Sequence, residues 1–300
     1  MDYIVREVDL NDPAIRPGVD SVLADAFGSD STAGGFCDHV QKVTCTKGSH
    51  SSLHLAAMIG TEVVGYNAFI SHDLIYEGRV INCYQSCFTA TSSQHRGKKI
   101  FQNLILAAHD ILGARGAAFV FGFPNDNSYP LFTKKLQYRE LPSTKIQMLN
   151  IPLYRRTFFR KSHPTLEVLE QHAILQNDKQ LIELKRLKYG SELLTSDFEG
   201  STAWGLRRSI VRRGIKVPYL DLGGLTLTNA DHLVPLLRQL RKHAGWVAYM
   251  QVVTIAGSTY NRLFQKVQKA ETNCLIVYDL NMKTDEGVTF NFFNGVRDVY

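Results

Sequence analysis

The hydrophobic residues change their period several times along the chain, and each change marks an element. "YIVREV" near the start alternates like a short strand, and residues 13–27 carry Ile15, Val19, Val22, Leu23 and Phe27 at helical spacing. Residues 28–51, rich in Gly, Ser and Thr, read as a long loop. "LHLAAMI" and "VVGYNAFISHDLIY" read as strands joined by a turn at Gly60, Thr61 and Glu62, and "RVINCYQSCFTAT" follows the turn at Glu77 and Gly78. From Gly97 the period lengthens. Ile100, Phe101, Leu104, Ile105, Ala108, Ile111 and Leu112 form one helical stripe that stops at "GARG". "AAFVFGF" is apolar without a break, as expected of a strand covered on both faces. A short helix over "NSYPLFTKKL" and a strand over "STKIQMLNI" complete this half.

The unit of strand 79–91, helix 97–113 and strand 117–123 predicts a right-handed crossover, which makes its two strands parallel neighbours in an otherwise antiparallel sheet. Beyond about residue 165 the pattern predicts helices 178–187 and 203–213, a strand over "IKVPYLDLGGLTL", helix 231–244, a strand over "WVAYMQVVT", helix 258–269, and strands over "NCLIVYDL" and "VTFNFF". Gly223 and Gly224 inside the first of these strands suggest a bulge. "TNADHL" reads as a helix cap. Strand–helix alternation predicts a second α/β sheet, with a linker near 155–176. The fold class expected is α/β (α+β): a mixed, mostly antiparallel sheet with a parallel splayed strand pair, plus a second α/β domain. The domains are 1–155 and 165–300. Residues 128–137 and 259–268 share Tyr, Lys and Gln at matching places; this is either a faint duplication or chance between two short amphipathic helices.

Composition narrows the class. The chain has 300 residues, 44% of them hydrophobic and 21% charged, an ordinary globular balance. No apolar run reaches transmembrane length, and the N-terminus lacks the basic start and apolar stretch of a signal peptide; a cytoplasmic protein that meets no membrane is expected. Five cysteines, Cys37, Cys45, Cys83, Cys87 and Cys274, give no disulfide framework and no zinc spacing. Cys83 and Cys87 share a strand face and read as small buried hydrophobes. The net charge of +6 invites anionic partners. The basic residues fall in pairs, Arg207/Arg208 and Arg212/Arg213 among them, which read as solvated helix faces or as a hold on a phosphate-bearing acceptor. No basic tract with interleaved aromatics occurs, so nucleic acid is not an expected partner.

One pair differs. Lys98 and Lys99 follow Gly97 where a strand hands over to a helix, in "TATSSQHRGKKIFQNLI". A glycine loop at a helix start exposes unpaired N–H groups backed by the positive end of the helix dipole, which is an anion site. The same glycine also fits a plain helix cap.

The order of elements and two motifs resemble the GNAT acyl-CoA N-acyltransferase superfamily over about residues 3–150. The superfamily's pyrophosphate loop is Gln/Arg-x-x-Gly-x-Gly/Ala; here Gln94, His95, Arg96, Gly97, Lys98 and Lys99 fit, with Lys99 in place of a small residue. The second landmark, an Asn followed by a short helix, is matched by Asn125, Ser128, Phe132, Lys135, Leu136 and Tyr138, with Gln137 where glycine is usual. The resemblance implies a two-domain variant whose degenerate second half binds no CoA and completes the acceptor pocket. It implies acetyl-CoA or another acyl-CoA as co-substrate, no metal, and a small-molecule primary amine as acceptor, with an amino sugar or sugar nucleotide as one option. A non-catalytic acyl-CoA-binding regulator is the alternative.

In the same frame, the splay near Phe88, Thr89 and Thr91 implies a strand-like edge for the pantetheine arm. Gln85 is placed to orient the acceptor. Phe132 stands where many members carry the tyrosine that protonates the leaving thiolate, so Ser128, Tyr129 or water takes that role, or the thiolate leaves unassisted. Asp30, Asp38, His39 and His50 lie where the acceptor lid is usually built. Asp298 or the carboxylate of Tyr300 either reaches the cleft or belongs to a frayed end.

Overall fold

The computed structural model describes residues 2–28, 35–44, 50–152, 173–256, 258–264, 269–284 and 287–296. In chain order the elements begin with β1 (Ile4–Glu7), α1 (Arg16–Phe27), α2 (Gly35–Thr44), β2 (Leu53–Ile59), β3 (Glu62–Tyr76) and β4 (Arg79–Thr91). Next come α3 (Ile100–Ala114), β5 (Phe119–Gly122), α4 (Tyr129–Lys135), β6 (Arg139–Pro152), β7 (Ala173–Gln176) and α5 (Asp178–Tyr189). The remainder is β8 (Leu193–Phe198), β9 (Ser201–Arg212), β10 (Ile215–Thr226), α6 (Leu233–Ala244), β11 (Tyr249–Ile255), α7 (Thr259–Leu263), β12 (Lys269–Asp279) and β13 (Thr289–Asn291).

Two compact units emerge. The first combines Met1–Asp73, Ile81–Glu140 and Ile276–Thr284; the second combines Leu74–Val80, Leu141–Leu275 and Asp285–Tyr300. In the first, β1 and β2, then β2 and β3, pair antiparallel, and β4 lies beside β3. β4 pairs in parallel with β5 over Tyr84–Ser86. The other edge of β5 is covered antiparallel by Ile276–Asp279, the end of β12. This is the mixed, mostly antiparallel sheet with a parallel pair that the sequence predicts. Val19, Leu23, Val40, Met58 and Tyr66 lead the buried cluster between α1, α2 and the sheet.

In the second unit β8, β9 and β10 are antiparallel neighbours, β10 and β11 run parallel, and β11 pairs antiparallel with β6. β7 and β13 form a further parallel pair. Leu220, Leu222, Leu236, Leu240 and Val252 bury the face between α6 and these strands.

Four expectations fail. The helix predicted over 258–269 spans only Thr259–Leu263, with Lys269 already in β12, and the linker predicted near 155–176 includes a strand, β7, at Ala173–Gln176. Residues 203–212 lie in β9, not a helix, and Arg213 begins the turn that follows. The partners of β9 are β8 on one side and β10 on the other, and twelve residues of ladder outweigh the helix propensity of Leu and Arg. The segment 28–51 is not a long loop throughout: Gly35–Thr44 is helical, with Cys37, Val40 and Val43 buried on one face. Arg16 pairs with Asp38, and Asp20 accepts the N–H of Cys37 at 2.7 Å, so α1 clamps the start of α2. The glycine- and threonine-rich flanks hid this helix in the sequence. Cys83 and Cys87 are buried as expected, and burial pushes the Cys37 thiol up to about 12. The bulge expected at Gly223 and Gly224 is present as a register shift between Leu222 and Gly224.

Candidate active site

The approach to α3 is shaped from below by a glycine. A Cβ at Gly65 on β3 would sit 2.4 Å from Ile100 Cγ2 and 3.3 Å from Leu104 Cδ1, so only glycine lets the first turn of α3 lie this close to the sheet. The connection from β4 is pinned at its start. The Ser92 N–H donates to Val64 O at 3.0 Å, and the Ser93 N–H donates to Asp25 Oδ2 at 2.5 Å. The Ser93 backbone bond, first among several contacts, holds the Asp25 carboxyl below its ordinary range.

Beyond this anchor the loop is open. Gln94 and His95 belong to a single 3-10 turn, and Gln94, Arg96, Gly97, Lys98 and Lys99 are exposed. Gly97 has φ +82, and a Cβ placed on it would meet nothing within 4 Å. Lys99 occupies the N-cap in the left-handed region at φ 60 and provides no side-chain cap. The first rung of the helix runs from Asn103 N–H to Lys99 O at 3.0 Å, so the N–H groups of Ile100, Phe101 and Gln102 precede the ladder. The shielded Nδ1 of His95 has no hydrogen-bond partner among the described residues. An uncapped helix start, a glycine facing open space, an orphan imidazole nitrogen and two lysines form a donor set suited to a diphosphate. The predicted cradle residues Gln94 to Lys99 therefore lie together on this turn.

The parallel pairing of β4 with β5 runs through Ser86, whereas β4 continues to Thr91. Between them, Phe88 takes φ 50, a left-handed kink in the middle of a strand. Asn67 on β3, fully buried, holds this kink from both sides. Its Nδ2 donates to Ala68 O at 2.8 Å and to Cys87 O at 2.9 Å, and its Oδ1 accepts from Thr89 Oγ1 at 3.0 Å. The His39 ring meets Phe88 edge-on at 5.7 Å, while Asp38 is engaged with Arg16. Thr91 is half-buried at the end of the strand.

Past β5, Asn125 builds a compact turn. Its Oδ1 accepts the N–H groups of Asn127 at 3.1 Å and Ser128 at 3.0 Å, and its own N–H donates to Ser128 Oγ at 3.1 Å. Ser128 is the N-cap of α4. The Tyr129 hydroxyl donates to Glu140 Oε2 at 2.7 Å. Phe132 is buried edge-on between Phe101, at 5.2 Å, and Tyr138, at 4.8 Å. Behind it His109 stacks on Tyr278 at 3.8 Å and meets the Tyr138 hydroxyl at 3.0 Å; burial lowers its pKa to about 4. Gln137 has φ 58, the conformation glycine takes readily.

Gln85 is buried, with Oε1 3.1 Å from His72 Nε2. Asp30, Asp298 and Tyr300 lie outside the described residues. Sequence reasoning missed Asn67, Asp25 and the kink at Phe88. The signal for Asn67 was present: one carboxamide within the apolar run "VVGYNAFI".

Residues 17–140, which hold the loop before α3, the kink at Phe88 and the Asn125 turn, match the family model described as an acetyltransferase (GNAT) domain. No curated protein matches the sequence. Among solved structures, a conserved Enterococcus faecalis V583 protein described as a probable N-acyltransferase is similar at 12% identity and TM-score 0.64, over 94% of this chain and 74% of that one. A GCN5-related N-acetyltransferase from Kribbella flavida is similar at 12% identity and TM-score 0.63, over 93% and 71%. A putative acetyltransferase from Pyrococcus horikoshii, at 11% and TM-score 0.53, is covered over 94% of its length by 96% of this chain. These likenesses establish the fold.

Proposed function

We propose that the chain transfers an acyl group, acetyl or larger, from acyl-CoA to a primary amine by direct attack in a ternary complex. The observation that carries this reading is the uncapped start of α3 behind Gly97. The N–H groups of Ile100, Phe101 and Gln102 bind the diphosphate, with Lys98 and Lys99 as flanking cations. The edge of β4 at Phe88, Thr89 and Thr91 pairs with the amides of the pantetheine arm. Acyl-CoA would supply the activated thioester when bound.

The chain's own residues do the rest. Asn67 fixes the kink at Phe88, which aims a backbone N–H at the carbonyl oxygen as negative charge develops there; such a donor contributes roughly 3 kcal/mol. The amine nitrogen forms its bond to the carbonyl carbon, the C–S bond breaks, and sulfur keeps the electron pair. His39, against Phe88, is the candidate to accept the proton that the amine loses. Ser128, tied into the Asn125 turn, and Tyr129, already donating to Glu140, flank the thiolate; one of them or water returns a proton to it. The second unit is read as a GNAT-like half that binds no CoA, and a phosphate-bearing amine is the acceptor class favoured by the basic chain.

Phe132 favours a second reading, a non-catalytic acyl-CoA binder, because a buried phenyl ring has no proton to give. Thermal-shift titration with CoA and acetyl-CoA, followed by a thiol-release assay over a panel of amines, separates the two. A midpoint rise with thiol release supports the transferase. A rise without release supports the binder. No rise in either titration removes both.

A further inference from the structure

We propose that the β9–β10 hairpin tip docks on an anionic lipid surface. The sequence predicts no membrane contact, because no apolar run reaches transmembrane length, and it predicts the arginines of 203–213 on a helix; their placement on a strand changes what they present. Arg212 pairs with Ile215 across a two-residue turn, Arg213 at φ 49 and Gly214 at φ 76, and a Cβ on Gly214 would meet nothing within 4 Å. The tip therefore projects into solvent.

It carries large apolar side chains that no described residue covers, Ile210 and Ile215 on one face of the hairpin and Val211 on the other. Ile210 is 41% exposed, Val211 67%, Ile215 68% and Trp246 72%. The loop that carries Trp246 lies beside the same hairpin. Ala248 N–H donates to Pro218 O at 2.9 Å, Tyr219 pairs with Tyr249, and Arg207 Nη2 reaches Trp246 O at 3.5 Å. The connection from α6 to β11 thus runs beside the outer end of β10.

The charge around this apolar tip has one sign. From Ser201 to Leu220 the chain has five cations, Arg207, Arg208, Arg212, Arg213 and Lys216, and no acid. Arg208 is committed to Asp221 at 3.4 Å. Aliphatic tips ringed by arginine and lysine, with a tryptophan at their margin, suit the boundary between headgroups and acyl chains. A second copy would bring like charge against like. A nucleic acid offers no apolar sink for Ile210, Val211 and Ile215. No helix among the described residues is long and apolar enough to cross a membrane.

The chain has two tryptophans, and the other, Trp204, is fully buried, so Trp246 reports the contact directly. Intact protein is mixed with phosphatidylcholine vesicles with and without phosphatidylserine. Cosedimentation, a blue shift of emission and protection from iodide quenching are expected only with the anionic vesicles, and they weaken as salt is raised. Arg212→Glu with Lys216→Glu should weaken vesicle binding roughly 30-fold or more. Ile215→Asp should abolish the blue shift while far-UV circular dichroism stays unchanged. Three outcomes overturn the proposal: equal binding to neutral and anionic vesicles, a blue shift that rises with protein concentration without lipid, or a shift given by single-stranded RNA but not by vesicles.

Discussion

Both units contain a parallel strand–helix–strand crossover, and the two treat the helix start in opposite ways. In the first, β4 leads to α3 through a loop whose N-cap, Lys99, offers no side-chain acceptor. In the second, β10 leads to α6 through a 3-10 turn over Ala230–His232 that runs straight into the helix: Asn229 Oδ1 accepts the Asp231 N–H at 3.0 Å, the Leu233 N–H donates to Ala230 O, and Ser201 accepts the Thr228 N–H at 2.9 Å. The strands differ too. The kink in β4 at Phe88 is held by hydrogen bonds from Asn67. The irregularity in β10 is packed shut, since a Cβ on Gly223 would lie 2.2 Å from Trp204 Cζ3. One crossover leaves donors for a ligand; the other spends them on itself. A crossover becomes a binding site by what its chain refrains from satisfying.

The largest test of that contrast is Gly97→Glu, which puts a carboxylate into the open space of the loop. CoA affinity should fall about 100-fold or more, about 2.7 kcal/mol, by calorimetric titration; unchanged affinity moves the diphosphate elsewhere. Next, Asn67→Ala frees the kink. It should lower kcat by about 10–100-fold with a smaller rise in KM, and a change confined to KM would assign Asn67 to binding alone.

Acidification separates the units by stability. Burial lowers His54 and His109, both in the first unit, to about 4. Their unfolded forms take up protons first as pH falls, so stability is full above about 6.5 and is lost between about 6.5 and 4, on the order of 2 kcal/mol for each. In the second unit burial raises the Asp178 carboxyl, so its folded form holds the proton more tightly and acid relieves a cost there. Hydrogen exchange at pH 7 and pH 5 should show the first unit loosening ahead of the second; uniform loosening would sink this. The smallest effect belongs to Asn229→Ala, which should cost about 1 kcal/mol of stability and leave CoA affinity unchanged, as read by denaturant unfolding beside the same titration.

Legibility in the sequence followed the range of the interaction. The helix stripe from Ile100 to Leu112, the turn glycines and the Gln94–Lys99 loop are local patterns, and local propensities state them directly. The cap at Asn229 was readable for the same reason. Asn67 was not, because its role depends on Cys87 and Thr89, twenty and twenty-two residues away. β9 was misread because its Leu and Arg residues suit a helix until β8 and β10 flank them. The pairing of Ile276–Asp279 with β5 joins residues more than 150 positions apart, and no periodicity carries that information.

That last pairing has a consequence for how the chain is made. Leu280, Asn281 and Met282 N–H groups all point to Ala118 O, and Asn281 Nδ2 donates to Gly113 O and Ala117 O, so the late segment buckles the far side of α3 and β5. A ribosome reaches it roughly 10–30 s after emitting β5, at ordinary elongation rates. For that interval the nascent strand presents a bare hydrogen-bonding margin, and its pairing waits on a segment more than 150 residues downstream.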